Sequence, residues 1–204
     1  FGRAAQLEPT NPLASSGLGR AFLAQGHTLS ALRALDQAVR QFQEAQDTRK
    51  AADLLVEIGK VWHGQDDGTA SAIMRFRQAL ALVPGHGPAL LGIAQSAKLA
   101  QDFSSARSAL EELLRAAENG QSEMDRFECM QHLGALLLEN LDTAAQGVPY
   151  LQRALDGPAN AATEASGLLE AYFRSAGRWA DLVRHLESML KKPAVADRLE
   201  FRLE

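Results

Sequence analysis

One stretch, residues 55–84 (LVEIGKVWHGQDDGTASAIMRFRQALALVP), constrains the fold more than any other feature of the chain. Leu55, Ile58 and Trp62 fall at i, i+3 and i+7, which places them on one face of a helix. A turn-like Gln65-Asp66-Asp67-Gly68 follows, and Ala72, Phe76 and Ala79 then share a face in the same way. Gly59, Ala72 and Ala79 are small, so two backbones can approach closely there. Trp62 and Phe76 are large enough to fill the space beside them. Pro84 stops the second helix, because it lacks an N–H and clashes with the preceding turn. Two helices joined by a short turn account for this order.

The same frame covers the rest of the chain. Leu18-Gly19, Phe22, Gly26, Ala31, Leu35 and Ala38 mark one unit before it. Ala94, Ala97, Ala106, Leu110 and Leu113 mark the next, and Leu133-Gly134, Leu137, Gly147, Leu151 and Ala154 another. Leu168, Tyr172, Gly177, Leu182, Leu186 and Met189 mark the last. Units begin at about Pro12, Ala52, Gly87, Phe127 and Ala162, with spacings of 40, 35, 40 and 35 residues. A two-unit block therefore recurs every 75 residues, and identities at that offset (Gly59 with Gly134, Ala79 with Ala154) suggest a duplication. Phe1, Ala4 and Pro9 sit at the spacing of Phe76, Ala79 and Pro84, so residues 1–9 read as the tail of a half-unit. Residues 197–204, with Leu203 in the leucine place, read as the start of another. The expectation is one repeat domain over residues 1–204, excised from a longer chain.

Local punctuation fits this frame. Asn11-Pro12 is a helix start, an N-cap followed by proline at the first position. Residues 41–51 hold neither glycine nor proline, so a tight turn is expected near Asp47-Thr48 with a new helix capped there. Ser122 with Asp125 resembles a capping box. Gly147 and Pro149 weaken a helix start, and an internal proline costs about 3 kcal/mol, so that helix should begin late or bend. Trp62, Trp179, Tyr172 and Phe173 are expected in the core, with Trp179 plugging the gap between its two helices.

The frame resembles the tetratricopeptide repeat, a helix–turn–helix unit of about 34 residues with Trp, Leu-Gly, Tyr, Ala, Phe and Pro at set offsets. Leu55 takes the Trp place, Ile58-Gly59 the Leu-Gly place and Trp62 the Tyr place. Ala72, Phe76 and Ala79 take the later places after one extra residue in the turn. The resemblance implies an all-α solenoid, a right-handed superhelix of helix pairs that bury their apolar faces on their neighbours. It also implies a non-catalytic scaffold or adaptor for protein–protein interaction. A likeness to Ala/Leu-rich, arginine-containing repeat chains makes a bacterial multi-repeat protein the expected source. The alternatives are a regulatory or substrate-docking region of a larger enzyme, and self-assembly through uncapped ends stacked head to tail.

Composition narrows the partners. The formal net charge is −4 and the isoelectric point about 5.8, which argues against nucleic acid, because phosphate binding needs a basic footprint. No apolar run approaches the ~18 residues of a membrane span, so no membrane insertion is expected. Cys129 is the single cysteine, which excludes an internal disulfide and leaves cytoplasm and periplasm both open.

Motifs that could carry chemistry do not hold together. Residues 79–92 (ALALVPGHGPALLG) mimic a dinucleotide turn, but the glycines at 85, 87 and 92 put the third two places late. No G-K-[ST] phosphate loop occurs. Cys129 and His132 lie at i, i+3, whereas a metal site needs three or four ligands. A buried thiol beside a surface histidine fits better. His27, His63, His86 and His185 have no ligand spacing. Asp66-Asp67-Gly68 lacks the later ligands of a calcium loop. No catalytic, cofactor or metal residue is expected.

In tetratricopeptide families the first helix of each pair lines a groove that holds a partner's peptide or helix. Carried over place by place, the position after the Leu-Gly pair holds Arg20, Lys60, Gln95, Ala135 and Glu170. Three residues on stand Leu23, His63, Lys98, Leu138 and Phe173, with Arg174 beside the last. Farther back on that face are Ser16, Val56, Leu91, Gln131 and Ser166. The set expected to bind a partner is Arg20, Lys60, His63, Gln95, Lys98, Glu170 and Arg174. Its amino-terminal half is basic, which suits an acidic or carboxylate-bearing stretch. The chain departs from the chaperone-tail clamp of this family, because Lys60 stands at a place usually Asn and Val56 and Glu57 stand at places usually polar or basic.

Overall fold

A computed structural model describes residues 8, 10–140 and 142–191. The half-units at 1–9 (Glu8 apart) and 197–204, with Phe1, Ala4, Pro9 and Leu203, lie outside the described residues. Ten α-helices and no strand occur among the described residues. They are α1 (Pro12–Ala24), α2 (Thr28–Glu44), α3 (Thr48–His63), α4 (Thr69–Leu82), α5 (Gly87–Leu99), α6 (Phe103–Glu118), α7 (Arg126–Leu138), α8 (Ala144–Ala154), α9 (Ala159–Ser175) and α10 (Trp179–Leu190).

The chain divides into two compact units, Phe1–Cys129 and Met130–Glu204. In the first unit, α1 packs on α2, α3 on α4 and α5 on α6, and α2 and α4 also pack on the helix that follows each. First helices touch as well, α3 against α5. The core runs through Ala31, Leu35 and Ala38 of α2, Ala51, Ala52 and Ile58 of α3, Phe76 and Ala79 of α4, and Ala89 and Ala97 of α5, none of them more than 1 % exposed. In the second unit α9 packs on both α8 and α10, around Leu133, Leu151, Ala165, Leu169 and Phe173.

Close helix approach depends on a glycine in three of the pairs. A Cβ on Gly19 would lie 2.7 Å from Leu35 Cγ, one on Gly59 2.5 Å from Phe76 Cε1, and one on Gly134 2.6 Å from Leu151 Cγ. In these pairs the large residue of the second helix (Leu35, Phe76, Leu151) seats directly on the bare backbone of the first. This is the Leu-Gly place of the sequence frame, and its physical content is contact distance.

Several ends are built as the sequence implies. Asn11 caps α1, its Oδ1 accepting from the N–H of Leu13 at 2.9 Å. Asp47 caps α3 by accepting from the N–H of Lys50 at 3.1 Å. The turn before it is made without glycine, because Gln46 itself takes φ +59°. Gln101 does the same at +58° between α5 and α6, where Gly26 and Gly177 serve at the corresponding turns.

Three local expectations are corrected. The cap of α7 is Asp125 alone, accepting from the N–H of Phe127 at 2.8 Å, while Ser122 accepts from Met124 just upstream. The α8 helix does not begin late. It starts at Ala144, 75 residues after the start of α4, and carries Pro149 within it. The carbonyl that Pro149 leaves unbonded belongs to exposed Ala145, where water can reach it, and Pro149 is itself exposed. Trp179 is 61 % exposed rather than a plug. It is the first residue of α10, and helical side chains lean towards the N-terminus, so no preceding turn lies beneath it. Phe103, first in α6, is 41 % exposed for the same reason. Phe173 is buried, and Trp62 and Tyr172 are half-buried.

Candidate functional site

The row of first helices α1, α3 and α5 in the first unit carries Arg20, Lys60, His63, Gln95 and Lys98. Arg20, Lys60, Gln95 and Lys98 are exposed and His63 is half-buried. Two side-chain bonds stitch the row. Arg20 of α1 meets Glu57 of α3 through Nε (3.0 Å) and Nη2 (2.9 Å), a forked geometry. That hydrogen bonding, with the charge of Glu57, raises the Arg20 pKa. His63 Nδ1 of α3 lies 2.8 Å from Ser96 Oγ of α5, and Ser96 is fully buried. The row therefore has a fixed spacing on both sides of α3.

Arg20 thus shares its charge with Glu57. The exposed cations Lys60 and Lys98 stand on the neighbouring helices α3 and α5. Farther back on the face, Ser16, Val56, Gln131 and Ser166 are buried and Leu91 is half-buried. They lie between helices and offer little to a partner.

Glu170 and Arg174 belong to the second unit, on α9. They pair with each other at i, i+4, with Arg174 Nη2 3.4 Å from Glu170 Oε2. Glu170 Oε1 also accepts from Ser166 Oγ at 3.5 Å. An exposed pair of this kind contributes little to stability, roughly 0–1 kcal/mol.

Sequence reasoning named Glu57 only as a departure from the chaperone-tail clamp and did not name Ser96, although both complete the row. Glu57 stands three places before Lys60, on the next first helix from Arg20. A frame that aligns successive first helices brings those places side by side. The one usable signal was opposite charge at facing places.

A second cluster is structural. His86, the residue before α5, is 1 % exposed, and its Nε2 lies 2.9 Å from Asp53 Oδ1 on α3. Arg49, one turn before Asp53, pairs with both Asp53 (3.8 Å) and Glu123 of the α6–α7 connection. The four residues tie α3 to two connections at the same edge. Cys129 is fully buried, and its thiol is pushed up to about 12, first by burial and then by the charges of Asp125 and Glu128. A thiol in that state is a poor nucleophile. The residues that mimic a dinucleotide turn join helix α4 to helix α5, with Gly85 at φ +76°. No helix among the described residues is long and apolar enough to cross a membrane.

Residues 68–127 match the family model of the tetratricopeptide repeat. Comparison with curated proteins finds no match. Among solved structures, the MamA protein superposes with a TM-score of 0.63 at 12 % identity, over 88 % of this chain and 90 % of that one. A second MamA structure gives 0.59 at 19 % identity, over 76 % and 82 %. A monomeric mutant of IFIT1 with m7Gppp-AAAA gives 0.51 at 16 % identity, over 86 % of this chain but 39 % of IFIT1. At such identities the likeness is one of fold. Residues 68–127 are thus tetratricopeptide repeat, and the other described helix pairs share that architecture.

Proposed function

We propose that this chain is a non-catalytic protein–protein interaction module, whose first-helix row holds an acidic or carboxylate-bearing segment of a partner protein. The observation that carries this reading is the exposure of Lys60 and Lys98 on adjacent helices held in register by the His63–Ser96 bond. Gln95, exposed on α5, offers an amide that can donate to a carboxylate beside them. Arg20 reaches the same row and remains able to re-pair, since its side chain is 60 % exposed. Glu170 and Arg174, on α9 of the second unit, are proposed as partner contacts of that unit by themselves. The repeat starts near Pro12, Ala52, Gly87, Phe127 and Ala162, within one domain over 1–204, belong to the same proposal.

The family argument supports a protein partner in general terms, because folds of this kind host many roles and function resides in the site. The test is to use the chain as bait in extract of its source organism, beside a Lys60→Glu, Lys98→Glu double variant. A protein kept by the wild type and lost by the variant supports the row as the binding face. A protein kept equally by both moves the site to another surface.

A further inference from the structure

The second helices of the first unit hold a cleft that the groove reading does not use. It lies between α2 and α4 and encloses about 360 Å³. That is the small end of the range for ligand pockets. Its floor is apolar: Val39 of α2 and Leu55 of α3 are buried, and Leu82 of α4 is half-buried. Asp36 and Arg75 bridge the two helices. Arg75 Nη1 lies 2.9 Å from Asp36 Oδ1 and Nη2 3.1 Å from Oδ2, so both carboxylate oxygens are engaged. Arg75 Nε is buried without an acceptor. Gln78 gives its Oε1 to Arg75 Nη1 at 3.4 Å, which leaves its amide N–H groups to donate. Arg40, one turn beyond Asp36 on α2, lines the cleft, is exposed and makes no ion pair among the described residues. Gln43, a further turn along, adds a second amide to that wall.

Donors and positive charge are therefore what this cleft leaves unmet. It holds two guanidinium groups and one carboxylate, so one positive charge stands ready for a monoanion. The neighbouring gap, between α4 and α6, does not repeat the arrangement. With Ala31, Ala72 and Ala106 aligned, Ala81 stands in the place of Arg40, Pro84 in that of Gln43 and Ala109 in that of Arg75. The donor set belongs to these residues and not to any gap between successive second helices.

We propose that the α2–α4 cleft binds a free aliphatic monocarboxylate. Its carboxylate meets Arg40 and the amides of Gln43 and Gln78, and its chain lies over Val39, Leu55 and Leu82. A guanidinium–carboxylate bond supplies the charged anchor, and the floor takes apolar surface out of water. The charge balance sets the valence of the anion. The small volume suits one short chain and not a polypeptide segment. The proposal goes beyond the groove reading, whose contact residues stand on the first helices.

Titration of sodium hexanoate into the isotope-labelled 204-residue chain, followed by its amide resonances, tests this. Saturable shifts confined to α2, α4 and the surroundings of Leu55 are expected, with a dissociation constant on the order of 1 mM. Acetate, which lacks the chain, and hexylammonium, which inverts the charge, should each bind at least about tenfold more weakly. Arg40→Glu on one wall and Ala81→Glu on the other should each weaken hexanoate by at least about tenfold, with helical circular dichroism unchanged. Arg33→Glu, on α2 outside the cleft, should change the affinity by less than about twofold. No saturable shift up to about 20 mM overturns the proposal. So do shifts centred on Lys60 and Lys98, affinity indifferent to both cleft substitutions, or acetate binding as well as hexanoate. A short apolar peptide with a free carboxyl terminus that binds more tightly than hexanoate also overturns it, by making the cleft a docking site for a polypeptide.

Discussion

A Cβ placed on Gly59 would lie 2.5 Å from Cε1 of Phe76, nearer than real side-chain carbons approach. The ring cannot retreat, because a Cβ on Gly92 would lie 2.6 Å from the same atom. Phe76 of α4 is thus held between the backbones of α3 and α5. Gly59→Ala gains about 1 kcal/mol of helix propensity. It also forces overpacking at the upper end of the ~1–3 kcal/mol range, since the neighbour is pinned. A net loss and a lower thermal midpoint are expected. Gly167→Ala is the control: it lies within α9 with nothing within 4 Å of the added carbon, and there the propensity gain should raise the midpoint. Opposite signs for the two substitutions are the prediction; equal signs would refute the close-contact account.

Gln46 and Gln101 hold left-handed backbone at φ +59° and +58°, where glycine serves in two sister turns. Left-handed backbone costs a residue with a Cβ about 1–2 kcal/mol. Part of that is offset because glycine loses more freedom on folding. Gln46→Gly and Gln101→Gly should each raise stability by roughly 0.5–1 kcal/mol in denaturant melts.

Asp47 and Asp102 begin α3 and α6 by accepting backbone N–H groups. The Asp47 carboxyl is lowered first by its bond to the Lys50 side chain and then by the Lys50 N–H, and that of Asp102 by Ser105 in the same order. A depressed folded-state value means the stabilisation is complete above the ordinary carboxylate range and is lost as pH falls through the folded value. Asp47→Asn and Asp102→Asn should therefore lower stability at neutral pH and flatten the acid limb below pH ~4, so that wild type and variants converge in acid.

For Cys129 the sign is reversed. Its thiol is raised to about 12, so the fold keeps the neutral form, and stability should fall as pH rises from 9 towards 12. Below that range the thiol should not react with a disulfide reagent until the protein unfolds. Fast labelling of the folded chain at pH 8 would show that the burial described here is wrong.

Much of the fold was legible because its information is local. Helix faces follow from 3.6-residue spacing, and Asn11-Pro12 carries its cap in two adjacent residues. Turns built at Gln46 and Gln101 were harder, because a glutamine forced into left-handed backbone leaves no mark in composition; at residues 41–51 only Asp47 and the break in spacing pointed to the turn. The α8 start was misjudged because exposure of Ala145 and Pro149, which makes the proline tolerable, is a tertiary property. Trp179 was placed in the core from its size alone, whereas its position at the head of a helix decides its exposure. In the proposed site, Arg20, Lys60, Gln95 and Lys98 are expected from the repeat frame. Pairings such as Arg20 with Glu57, or His86 with Asp53, join residues more than 30 positions apart, and periodicity within one helix says nothing of them.

The central claim is that Lys60 and Lys98 hold an acidic segment of a partner. The most direct measurement is calorimetric titration of the retained partner, at two salt concentrations, into wild type and into the Lys60→Glu, Lys98→Glu variant. The account predicts wild-type binding that weakens with salt, and at least a roughly tenfold loss in a variant whose melting curve is unchanged. Equal affinity for the two proteins would contradict it.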